Sequence, residues 1–141
     1  MKPIEQVANE PIEHITWNDK PLAYIIRAEM NPEKTTFLTP LDFNLQLGFV
    51  VYPANGEVAR HVHWPLERNI VGTSEVLIIK KGRCEIDVYS DDRELVATRE
   101  LRTGDIMLMI SGGHGFRMLE DTILIEIKQG PYTGMDEKER F

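Results

Sequence analysis

Apolar positions along this chain recur with a period of two. In Arg83–Tyr89, Cys84, Ile86 and Val88 alternate with Glu85, Asp87 and Tyr89, and in Phe43–Tyr52, Leu45, Leu47 and Phe49 alternate with Asn44 and Gln46. Side chains on a strand point to opposite faces in turn, so this pattern predicts half-buried strands. Short apolar, β-branched runs predict further strands at Val58–His63, Glu75–Lys80, Leu95–Leu101, Ile106–Ile110, His114–Leu119 and Thr122–Lys128. His14–Trp17 and Leu22–Ala28 flank Asn18-Asp19-Lys20-Pro21 and predict a hairpin. The punctuation between runs is turn chemistry: Pro53-Ala54-Asn55-Gly56, Lys81-Gly82, Ser90-Asp91-Asp92, Gly104-Asp105 and Ser111-Gly112-Gly113. No long stretch carries helical periodicity. Roughly ten short, closely spaced strands imply an all-β sandwich or barrel.

A chain of 141 residues fits one domain with its own core. Within it, residues 1–40 read as an N-terminal arm and hairpin, 41–130 as the barrel and 131–141 as a polar tail. The net charge of −7 argues against nucleic acid and against an anionic membrane surface, both of which call for basic patches. It does not exclude an anionic small substrate, since a pocket can be locally basic. The single cysteine, Cys84, cannot form an internal disulfide, which fits a reducing compartment. No apolar run approaches the ~20 residues of a membrane span, and the first residues lack a signal peptide's apolar stretch. A soluble, cytoplasmic protein is the expectation.

The candidate chemistry lies in the histidines. His61 and His63 are two of four in the chain and are separated by one residue. On a strand both point the same way, where two imidazoles can share a metal ion. His114 follows the apolar run IMLMI through a Gly-rich turn. The three are expected to converge with a carboxylate inside a small barrel.

At these residues the sequence resembles the cupin family. The first cupin motif, G-x5-H-x-H-x3,4-E-x6-G, is similar to Gly56, His61-Val62-His63, Glu75 and Gly82. The Gly-to-His spacing is one residue short, and the gap from His63 to Glu75 is longer than usual, with Glu67 at the shorter spacing. The second motif is similar to Gly104-Asp105, IMLMI, Ser111-Gly112-Gly113 and His114-Gly115-Phe116, with Ile110 where the family has Pro. The resemblance covers about residues 43–128. It implies a double-stranded β-helix (jelly-roll) barrel and one divalent metal ion, Fe, Mn, Ni or Zn, held by His61, His63, Glu75 and His114, with Glu67 as the alternative acidic ligand. The resemblance also implies a homodimer, with the N-terminal hairpin packed on a barrel face across a two-fold axis. The tail segment Tyr132-Thr133-Gly134-Met135-Asp136 with Arg140 resembles the closing segment of mannose-6-phosphate isomerase-type cupins.

Other residues carry two readings. Arg68 could clamp an anionic substrate or be a solvated charge. Glu126 and Lys128 share a strand face with Leu124 and are either exposed or at a polar barrel mouth, where they are the candidate proton-transfer groups and Lys128 is alternatively a substrate clamp. Asn44 and Gln46 pose the same question. Tyr132 could cap the pocket or pack in a turn. Cys84, Met107 and Met109 read as core, and His14 as structural. The expected function is a metal-dependent reaction on a small polar metabolite, a sugar or sugar-phosphate isomerisation or epimerisation. An Fe(II)-dependent dioxygenase and a non-catalytic binding or regulatory module are the alternatives.

Overall fold

The computed structural model describes residues 11–132 and 138–141. Its strands are β1 (Ile12–Trp17), β2 (Lys20–Ile26), β3 (Thr36–Phe37), β4 (Gly48–Phe49), β5 (Glu75–Lys81), β6 (Arg83–Tyr89), β7 (Leu95–Arg102), β8 (Ile106–Met109), β9 (Gly113–Met118) and β10 (Ile123–Lys128). There is no helix among the described residues, so none could cross a membrane. A five-stranded sheet runs in the order β1-β2-β8-β5-β10 and a three-stranded sheet in the order β7-β6-β9; β3 and β4 form a separate ribbon. Every pairing is antiparallel.

The two larger sheets face each other. Ile15, Ile25, Leu77, Ile79 and Met107 from one meet Cys84, Ile86, Val88 and Leu101 from the other in a shared core. The outer face of the three-stranded sheet is solvated, which is why β6 alternates so cleanly. The middle of the five-stranded sheet, β2, β8 and β5, is covered on both faces. Tyr24, Ile26, Val76 and Leu108 on its outer face form a second cluster under Phe43, Leu45, Leu47 and Phe49 of the preceding loop. Two-sided burial explains the unbroken apolar runs of β2 and β8.

The N-terminal hairpin forms as expected. Asn18 and Asp19 take positive φ angles of 49° and 63°, the two-residue turn whose twist matches that of paired strands. It is not an appendage, because β2 pairs along β8 and lies inside the main sheet. His14 stacks on Tyr24, its cross-strand neighbour, at 4.0 Å between ring centroids. Cys84 and Met107 are fully buried in the core.

Two expected strands are corrected. Phe43–Tyr52 pairs only at Gly48–Phe49, although Leu45, Leu47 and Phe49 do share an apolar contact surface. Val58–His63 forms no strand: residues 57–71 run without a ladder partner. An isolated strand has nothing to satisfy its backbone groups, and Asn55 (φ 67°) and Pro65 interrupt the chain on either side.

Two buried carboxylates tie the frame. Asp105 accepts hydrogen bonds from the Ala28 and Arg102 amides, both 2.8 Å, and from Arg27 at 3.1 Å. Glu13 on β1 accepts from Arg99 on β7, with Nε at 3.0 Å and Nη2 at 2.8 Å, and so bridges the two sheets along one margin. Gly112 (φ 76°) carries the chain from β8 to β9, and a Cβ there would strike the Tyr89 carbonyl. Gly112→Ala is therefore expected to lower stability by about 1–3 kcal/mol in denaturant titration, whereas Ser111→Ala loses only a hydrogen bond to the Pro21 carbonyl.

Burial lowers the His14 pKa from its ordinary value of 6.5. The unfolded chain then takes up the proton first as pH falls, so stability declines with falling pH below about 6.5. His14→Gln is expected to flatten the decline in thermal melts between pH 7.5 and 5.5. It does not abolish it, because burial depresses His114 in the same sense.

Candidate functional site

Along the inner face of the main sheet, polarity changes with distance along each strand. On β5 the inward side chains are Glu75, Leu77 and Ile79, and on β10 they are Lys128, Glu126 and Leu124; Leu77, Ile79 and Leu124 join the core. On β9 they are His114 and Phe116, opposite Val88 and Ile86 of β6. The apolar ends form a floor and the polar ends meet at one opening. The result is a cleft of about 1010 Å³ between the sheets, at the margin bounded by β9 and β10.

Glu75, His114, Glu126 and Lys128 all line this cleft. Glu75 stands directly across from Lys128 on the neighbouring strand, and its Oε2 lies 3.6 Å from His114 Nε2. Their side chains are 18% and 33% exposed, so Glu75 is largely withdrawn from water and His114 partly so. Burial pushes the Glu75 carboxyl up, and the Glu126 charge and a hydrogen bond with Glu126 add to this, while Lys128 and Lys138 oppose it. Burial pushes the His114 imidazole down, against the pull of Glu126. Both shifts favour uncharged forms, so the 3.6 Å approach is a polar contact rather than a strong ion pair.

The structure resolves the question left by β10. Glu126 and Lys128 face the cleft and are solvated within it, while Ile123, Ile125 and Ile127 are 52%, 41% and 49% exposed on the outer face. Asn44 and Gln46 do not reach the cleft. Gln46 donates to the Pro40 and Phe43 carbonyls, and Asn44 to that of Val71.

His61 and His63 are not brought to Glu75 and His114. Their rings lie together, with centroids 5.2 Å apart, on the exposed 57–71 segment, where His61 Nδ1 is 2.8 Å from the Ala59 carbonyl. Glu67 and Arg68 are exposed on the same segment, and Tyr132 is 77% exposed outside the cleft lining. Among the described residues, no three His, Cys, Asp or Glu side chains stand close enough to hold a metal ion. Thr133–Asp136 of the tail resemblance lie outside the described residues.

Other cleft residues carry no mark in the sequence pattern. Arg93 (φ 66°) sits in the turn after β6, its guanidinium 5.2 Å from the Phe141 ring and bonded to Glu139 at 2.8 Å. Phe141 meets Tyr89 edge-on at 5.1 Å, and Lys138 and Arg140 join the rim. Arg140 is the one of these that the tail motif singles out.

Because Glu126 raises both titrations, Glu126→Gln is expected to lower the pKa of Glu75 and of His114 together, and Lys128→Met to raise that of Glu75. Carbon-detected NMR titration of the carboxyl and imidazole signals in metal-free protein reads both. Compared with known proteins, the chain matches no protein-family model, no curated protein and no solved structure.

Proposed function

We propose that the cleft is the active site of a metal-dependent cupin-type barrel acting on a small polar metabolite, a sugar or sugar phosphate, in an isomerase- or epimerase-type reaction. The observation that supports it is the meeting of Glu75 and His114, from different sheets, at 3.6 Å beside Glu126 and Lys128. A carboxylate oxygen and a neutral imidazole nitrogen are a suitable half of a divalent metal site for Fe, Mn, Ni or Zn. His61 and His63 are the proposed remaining ligands, with Glu67 as an alternative to Glu75.

A bound metal would supply Lewis-acid polarisation of a substrate carbonyl or hydroxyl oxygen. The chain's own residues do the rest. Met109 and Phe116 line the cleft over the buried Leu77 and Met107, an apolar floor that keeps water from the far end. Lys128 and Glu126 stand at the mouth as the groups that take and return a proton at a carbon beside the carbonyl. Lys138, Arg140 and Arg93 on the rim give an anionic substrate cationic partners in an otherwise acidic protein. The cleft's volume admits a sugar phosphate.

That no three donor side chains among the described residues are grouped closely enough to hold a metal ion favours a second reading, a binding or regulatory module without turnover.

Metal analysis of protein purified without an affinity tag separates the readings. About one equivalent per chain is expected in the wild type, and His61→Ala with His63→Ala, or His114→Ala, should lower it at least tenfold. Anaerobic conversion of aldose or ketose phosphates by the wild type, reduced ~10²–10⁴-fold in Lys128→Met, is the expected activity. Oxygen consumption by an iron-loaded protein would replace it with a dioxygenase, and ligand binding without conversion with the module.

A further inference from the structure

The margin of the sandwich that holds the cleft lacks a strand, and the chain carries a segment able to supply one. Among the described residues, β9 pairs only with β6 and β10 only with β5, so each presents an unpaired edge beside the cleft. Residues 57–71 have no ladder of their own. A single hydrogen bond joins them to the rest of the described chain, from Asn44 Nδ2 to the Val71 carbonyl at 2.9 Å. Their apolar side chains lie in water: Val62 is 84% exposed, Trp64 79% and Val71 81%. Exposed apolar groups on an unpaired, extended backbone are a template for pairing with another chain.

We infer that residues 57–64 of one copy add as a strand to the free edge of β9 in a second copy, so that two chains exchange segments and complete each other's sites. The inference rests on the metal reading for the identity of the completed site. Four observations commit it to a second copy. The segment departs from the cleft rim at Gly72 and Thr73, yet lines no part of its own cleft. Each chain has one such segment and one such β9 edge, so a two-fold exchange leaves neither unsatisfied. Arg60 and Arg68 balance Glu57 and Glu67, so the segment itself carries no net charge into contact with an acidic partner. Its histidines complement the carboxylates of Glu75 and Glu126.

Side-chain alternation makes the geometry specific. On a strand beside β9, His61 and His63 would share the face of His114, at the ~5 Å spacing of cross-strand neighbours. Val62 and Trp64 would then lie on the outer face. There β9 presents Gly115, where a Cβ would meet nothing within 4 Å, which leaves bare backbone for an indole to cover.

Two measurements test this. The first co-expresses a His61→Ala, His63→Ala chain with a Glu75→Gln, His114→Ala chain. Neither variant alone should hold metal, and the mixture should recover about a quarter of the wild-type content, since half the dimers are mixed and each has one intact site. No recovery, with full metal in the wild type, would mean that each chain completes its own site. The second uses metal-free protein co-refolded from labelled and unlabelled chains. Isotope-filtered contacts between the Trp64 indole and residues 113–117 of the other chain are expected. Such contacts only within one chain, or none, overturn the exchange. Intermolecular contacts in a protein that takes up no metal keep the exchange and remove the metal reading, whereas a metal-loaded monomer does the reverse.

Discussion

A two-sheet core stays dry only if its margins are closed, and this molecule closes its two margins differently. Along the β1–β7 margin the buried Glu13 carboxylate takes three hydrogen bonds from Arg99, so charge, desolvation and geometry are satisfied together. Along the β9–β10 margin there is no such tie among the described residues, and the sheets part around Glu75, His114, Glu126 and Lys128. The sealed margin fixes the sheets relative to each other, and the open one exposes their inner faces at one end.

Much of the frame was legible in the sequence because one face of each sheet behaves simply. The alternation in β6 predicted a half-solvated strand, and its inward Cys84, Ile86 and Val88 are core. Positive-φ turn residues at Asn18-Asp19, Gly82, Gly104 and Gly112 marked the corners. What periodicity could not supply was partnership. Leu45, Leu47 and Phe49 alternate correctly, yet their apolar face is satisfied by packing on the outside of the main sheet, with only two residues entering a ladder. Val58–His63 has a strand's composition and no neighbour to pair with in its own chain. A strand is defined by hydrogen bonds to another segment, and that segment is not written in the local pattern.

The site was legible in the same proportion. Glu75, His114, Glu126 and Lys128 lie on strands whose register is fixed by a buried core on the same face, so their convergence follows once the strands are placed. His61, His63, Glu67 and Arg68 lie where no core fixes register, and a two-residue spacing says only that the imidazoles share a side. They do lie close together, at 5.2 Å, without reaching the cleft. Arg93 and Phe141 could not be found from spacing, because a turn residue and a tail residue meet there only through the fold.

The electrostatics of the cleft bear on what it can accept. Two carboxylates, Glu75 and Glu126, share the mouth, and the Glu126 charge disfavours that of Glu75. Lys128 and Lys138 relieve this only in part, since burial remains the largest influence on Glu75. A positive partner placed between Glu75 and His114 would relieve it more strongly, and the imidazole that burial keeps neutral is the form able to donate a lone pair to such a partner. An apolar ligand would gain little at this mouth, because it would remove water from the carboxylates without replacing it. The residues therefore favour an occupant that brings positive charge to the Glu75–His114 pair and polar atoms to the charged rim over a hydrophobic one.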